Sequence, residues 1–149
     1  MKITTEYIAG FFDGEGSIGF YGKRLSLRAC ITQARTPESD RLFRRLQSRY
    51  GGSIYYAKRY KPSHRPSMMW SVFANVAVRF LGDIVDSLVL KKNQALLAMR
   101  WQRARSTKPR ARDASGGPFV ASSFTAAQLR LIDKINAMKR TTTKGPRKA

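Results

Sequence analysis

The sequence predicts an α+β domain: a four-stranded antiparallel sheet with helices on one face and an open, basic face on the other. Three observations lead there. Apolar residues alternate with period two in four short stretches, and those stretches pair into two hairpins. Around them, apolar residues recur at helical spacing, so the order reads helix, hairpin, helix, hairpin, helices. The 149 residues are 42% hydrophobic, which is enough for one proper core. There is no internal repeat.

Thr4 or Thr5 can cap the first helix. Glu6 lies in its first turn, where a carboxylate suits the dipole, and the helix should end near Asp13–Gly14. Ser17–Tyr21 reads as a strand and Gly22 as a turn residue. In Leu25–Gln33, residues Leu25, Leu27, Ala29 and Ile31 face one way, and Ser26, Arg28, Cys30 and Thr32 the other. Thr36 and Pro37 open a second helix with the stripe Leu42, Phe43, Leu46 and Tyr50, closed by Gly51–Gly52. Ser53–Tyr60 and Met68–Phe73 form the second hairpin around the basic loop RYKPSHRPS. A third helix spans Val76–Leu88 on Val76, Phe80, Leu81, Ile84 and Leu88, and a fourth spans Lys91–Ala104. Residues 1–104 are thus the expected core. A basic Pro/Gly/Ser-rich connection follows at 105–124, then a helix within 125–138 carrying Leu129, Ile132, Ile135 and Met138, and a basic tail at 139–149.

Charge points to the partner. The chain has 29 Lys and Arg against 9 Asp and Glu, a net +20. Such a surface self-repels unless it meets a polyanion, with nucleic acid first and an anionic membrane surface second. Cys30 and His64 are each the sole residue of their type. This excludes an intramolecular disulfide, a cysteine zinc site and a histidine metal cluster. A reducing intracellular compartment is expected, with no secretion signal. No stretch approaches the roughly 20 apolar residues of a membrane span.

The most informative stretch is IAGFFDGEGSI, Ile8 to Ile18. Gly10 and Gly14 lie one turn apart, and small residues at that spacing let another helix approach closely. Glu15 sits where a helix should end, and a carboxylate there opposes the dipole by several tenths of a kcal/mol. Something positive should compensate. A carboxylate with a neighbouring backbone carbonyl is a ligand set suited to Mg²⁺, whereas an ordinary Lys or Arg pair would serve equally on spacing alone. Strand alternation also names the outward residues: Gly19, Tyr21 and Lys23; Arg24, Ser26, Arg28 and Cys30; Tyr55, Ala57 and Arg59; Met69, Ser71 and Phe73.

The nine residues IAGFFDGEG resemble the signature of the LAGLIDADG homing endonucleases: apolar-Ala-Gly-apolar-apolar-Asp-Gly-acid-Gly, with Glu15 for the more frequent second Asp. The order of elements over about residues 4–104 follows the same family. The resemblance implies an αββαββα core whose curved sheet forms a DNA-binding saddle, with extra C-terminal helices. One motif per chain implies a homodimer whose motif helices meet through Ile8, Ala9, Gly10, Phe12 and Asp13. It further implies Mg²⁺ (or Mn²⁺ or Ca²⁺) held by Glu15 and the Gly14 carbonyl, and Gln33 and Lys91 as catalytic residues, with Lys92 a rival for the second role. Tyr21, Lys23, Arg24, Ser26, Arg28, Cys30, Tyr55, Arg59, Lys61 and Ser71 become the expected DNA contacts. One basic position of the family, shortly after Gln33, has no counterpart: Arg35 falls early and Pro37–Glu38 occupy the place. The implied activity is site-specific double-strand cleavage of a long pseudo-palindromic DNA, tied to a mobile intron. No small-molecule substrate and no membrane are involved. The alternative is a non-cleaving nucleic-acid-binding relative, an intron RNA maturase or a DNA-binding regulator.

Overall fold

The computed structural model describes residues 2–22, 25–58, 61–106 and 124–141. The elements run α1 (Thr5–Glu15), β1 (Gly16–Tyr21), β2 (Ser26–Ala34), α2 (Pro37–Tyr50), β3 (Ser53–Tyr56), β4 (Ser67–Phe73), α3 (Ala74–Ile84), α4 (Lys92–Ser106) and α5 (Ala126–Thr141). The four strands form one antiparallel sheet in the order β1-β2-β4-β3.

Local chemistry explains the boundaries. The Thr4 hydroxyl accepts from the Tyr7 N–H and caps α1. Thr36 and Ser39 form a reciprocal capping box at α2, with Pro37 at its first position. Gly51 and Gly52 then reverse the chain at φ 80° and 88°. At Gly52 a Cβ would also run into the Ser71 carbonyl and come within 2.7 Å of Val72, so only glycine fits. α5 starts with a second reciprocal cap: Gln128 N–H donates to the Thr125 hydroxyl and Thr125 N–H to the Gln128 amide oxygen. Its spacing, T-x-x-Q, is that of a capping box.

One sheet face is the core face. Ile18, Leu27, Ala29, Ile31, Met68, Trp70 and Val72 are buried on it, with α1 and α3 packed against the central strands. Phe80 of α3 is the hub. Its ring meets Phe12, Tyr50 and Trp70 edge-on at centroid distances of 5.3, 5.1 and 5.0 Å, tying together α1, α2, α3 and β4.

Four expectations are corrected. β3 ends at Tyr56, not Tyr60. Leu25 belongs to the hairpin turn, at φ 47° with its N–H bonded to Gly22. α3 starts directly after β4 and ends at Ile84, and its last turn tightens into a 3₁₀ turn at Val85–Ser87; Val76 is exposed and Ala77 takes the buried position. In α5, Gln128 occupies the buried position expected for Leu129. The expected connection lies mostly, and the tail largely, outside the described residues.

Candidate functional site

α1 ends where β1 begins, with no loop between: Glu15 is the last helical residue and Gly16 the first of the strand. At Gly16 a Cβ would lie 2.5 Å from the Phe12 carbonyl oxygen, so glycine is what lets helix pass into strand here. This sharp junction leaves Gly14 and Glu15 exposed at a corner of the molecule. Glu15 engages no basic side chain among the described residues. The ordinary ion pair that could have explained it is therefore absent there, and the carboxylate is open to solvent.

Lys91 arrives at the same corner from a distant part of the chain. It is the residue before α4, and its carbonyl accepts the first helical bond from Ala95 at 2.9 Å. Its ammonium donates to the Asp13 carbonyl oxygen at the end of α1. A cation there complements the negative end of the α1 dipole. Lys92, the rival, opens α4 itself and is partly buried. Gln33 lies two residues beyond the Ile31–Gly16 pair, at the same end of the sheet as the corner, and its amide oxygen accepts from the Ala34 N–H at 3.2 Å. Among the described residues no three acidic, histidine or cysteine side chains gather. One open carboxylate beside backbone carbonyls fits a Mg²⁺ site that draws its other ligands from water and phosphate, the habit of that ion.

The helix face is where the expectation from the resemblance fails. Ile8, Ala9 and Phe12 lie in the chain's own core, and Asp13 is buried with them. Ile8, Ala9 and Phe12 face the sheet and α3, and Asp13 faces the segment before α4, so they offer little surface to a second chain. The open stripe is Tyr7, Gly10, Phe11 and Gly14, at the spacing of one helical face. Tyr7 is half exposed and its ring stacks on Phe11 at 6.3 Å. A Cβ at either Gly10 or Gly14 would meet nothing within 4 Å. Only Gly10 of the five expected seam residues lies on that stripe.

The outward sheet face follows the predicted alternation. Register pairs Tyr21 with Ser26, Gly19 with Arg28, Ser17 with Cys30, Cys30 with Ser71, and Tyr55 with Met69. The Tyr21 ring leans over Gly19, where a Cβ would come within 2.6 Å of it. The Arg28 guanidinium stacks on that ring at 3.7 Å from its centroid. Arg28 is thus held outward in a fixed place. Tyr55 is well exposed, and Lys61 lies in the open loop. Cys30 and Ser71 are corrected: they point outward but are each only 5% exposed, small side chains on the central strands flanked by Arg28, Thr32, Met69 and Phe73. They floor the face and offer little contact surface. Lys23, Arg24 and Arg59 lie outside the described residues. Lys139, expected to open the basic tail, lies in α5; burial lowers the pKa of its ammonium, Cys30 opposes that and the Arg28 charge adds to it.

No protein-family model matches the chain, and no curated protein matches it. Solved structures do. The homing endonuclease I-CvuI in complex with its target in the presence of Ca aligns with 97% of this chain and 85% of its own, at TM-score 0.65 and 17% identity. The archaeal intron-encoded homing endonuclease I-Vdi141I, complexed with DNA, aligns with 97% of this chain and 87% of its own, at TM-score 0.61 and 19% identity. I-SmaMI, bound to an uncleaved DNA target in the presence of calcium ions, aligns over 91% of this chain but only 44% of its own length, at TM-score 0.60 and 19% identity. The chain has the fold of the homing endonucleases.

Proposed function

We propose that this chain is a homodimeric, metal-dependent DNA endonuclease that cuts both strands of a long pseudo-palindromic site inside the cell, as the product of a mobile intron. The observation that carries the reading is the corner at the end of α1. An open Glu15, its neighbour Gly14 and the Lys91 ammonium meet there at one end of a basic sheet, in a fold whose solved examples hold DNA.

The roles follow from chemistry. Glu15 and the Gly14 carbonyl would hold Mg²⁺, with Mn²⁺ or Ca²⁺ as possible occupants. When bound, the ion polarises a phosphate and acidifies its water. Lys91 neutralises charge that develops on the phosphate, and Gln33 orients the attacking water. Arg28, Tyr21 and Tyr55 face base edges in the major groove, while Lys61 meets the phosphate backbone. The open stripe of α1 is self-complementary: the Tyr7–Phe11 pair of one chain fits the Gly10–Gly14 groove of another. That pairing would bring two Glu15 corners together, one for each strand.

The direct test is to incubate the chain with a randomised duplex library and Mg²⁺ and sequence the cut ends. Site-specific double-strand cuts that vanish with EDTA are expected. A folded chain that binds DNA or intron RNA and cuts no member of the library would favour the non-cleaving alternative.

A further inference from the structure

Asp13 is the first of the motif's two acids, and the catalytic and metal-binding roles of Glu15, Gln33 and Lys91 leave it unused. Its position is unusual for a carboxylate in a basic chain: it is 8% exposed, beneath the exposed Gly14–Glu15 corner. It reaches the segment just before α4. One carboxylate oxygen accepts from the N–H groups of Val89 at 2.6 Å and Leu90 at 3.1 Å, and the other from that of Lys91 at 2.9 Å. Those donors lie in the turn just before α4, near the positive end of its dipole. The bond is reciprocal, because the Lys91 ammonium donates back to the Asp13 carbonyl.

Packing does not hold this segment. The side chains of Val89 and Leu90 are 82% and 75% exposed. A lysine ammonium on a four-carbon stem is a mobile charge unless its backbone and tip are both fixed. Here the backbone is fixed by the carboxylate and the tip by the carbonyl of the same residue.

We infer that Asp13 is a positioning residue: its carboxylate clasps the start of α4 and thereby sets the Lys91 ammonium beside Gly14 and Glu15. The inference rests on the endonuclease reading for its consequence, but the clasp itself does not.

The experiment has two arms. In the first, amide hydrogen exchange is followed by NMR in the full chain without DNA. Val89, Leu90 and Lys91 should be protected in the wild type and exchange at least tenfold faster in Asp13→Asn, with the core amides of β2 and β4 unchanged. Unprotected amides in the wild type would overturn the clasp whether or not the chain cuts DNA. In the second arm, single-turnover cleavage and binding are measured on the best-cut duplex from the library. Asp13→Asn should slow cleavage by about 10–100-fold, as loss of a supporting contact does, and leave affinity for DNA in Ca²⁺ within about twofold of wild type, a change small against the tenfold that 1.4 kcal/mol represents. In a Lys91→Met background the same change should have little further effect, because its action runs through Lys91. Losses that multiply, or a fall in affinity equal to the fall in rate, would show a general structural role and overturn the inference. A wild type that cuts nothing would sink the endonuclease reading, and the exchange arm would then decide the clasp alone.

Discussion

Arg28 has a position more than a neighbourhood. Gly19 makes room for the Tyr21 ring, and the ring holds the guanidinium. A planar fork fixed this way suits a bidentate contact to one guanine, which a lysine cannot copy. Arg28→Lys should therefore cost about 1–3 kcal/mol of discrimination at a single base pair. Binding to duplexes varied one position at a time would reveal it, and an unchanged preference everywhere would contradict it. Asp40 supports a different prediction. Hydrogen bonds from Arg44 at 2.7 Å and Tyr56 at 2.7 Å hold its carboxyl below the ordinary 3.8. A depressed carboxyl stabilises the fold above its unfolded pKa and ceases to do so as pH falls through the folded one. Asp40→Asn should thus lower Tm at neutral pH, with the gap to wild type closing below pH 3.8; a gap constant with pH would contradict it. At this scale the sequence was legible where chemistry is local. Glu15 stood out because a carboxylate at a helix end needs a reason. Asp13 was read as the finish of its own helix, because its three partners lie 76 to 78 residues away and no local pattern announces them.

Elements were legible where periodicity is strong. The four strands and their inward and outward faces follow from alternation, and the caps of α1 and α2 from their threonines. Phase was harder. The apolar face of α1 is wide enough to bury Ile8, Ala9 and Phe12 within one chain, so the motif's larger residues serve the core and its glycines are left outside. Nothing in the spacing says which side a second helix would take; packing against β2 and α3 does. The same packing sharpens a prediction. A side chain at Gly10 meets nothing in the isolated chain, and glycine within a helix costs about 1 kcal/mol against a good helix former. Gly10→Leu should keep or raise the stability of a single chain and block the close approach of two. Light scattering should give a two-chain mass for the wild type and a one-chain mass for the variant. A variant that stays dimeric would move the seam elsewhere.

The whole molecule joins a net charge of +20 to a sheet with one covered and one open face. In the proposed dimer two such chains repel each other, a cost that bound DNA would offset, and added salt should weaken the binding of DNA. At 17–19% identity, the solved homing endonucleases share with this chain the order and packing of elements more than the residues themselves. That is why alternation, helical spacing and a nine-residue motif carried the fold, while the contacts that hold the corner together needed coordinates. The central claim is that the open carboxylate at the end of α1 works on the phosphodiester and does not bind the DNA. Glu15→Gln tests it most directly, with binding in Ca²⁺ and single-turnover cleavage in Mg²⁺ measured on the same duplex. The account predicts affinity close to wild type and cleavage reduced by at least about a hundredfold, the scale of losing one electrostatic stabiliser of a transition state. A Glu15→Gln chain that cuts at the wild-type rate would contradict it.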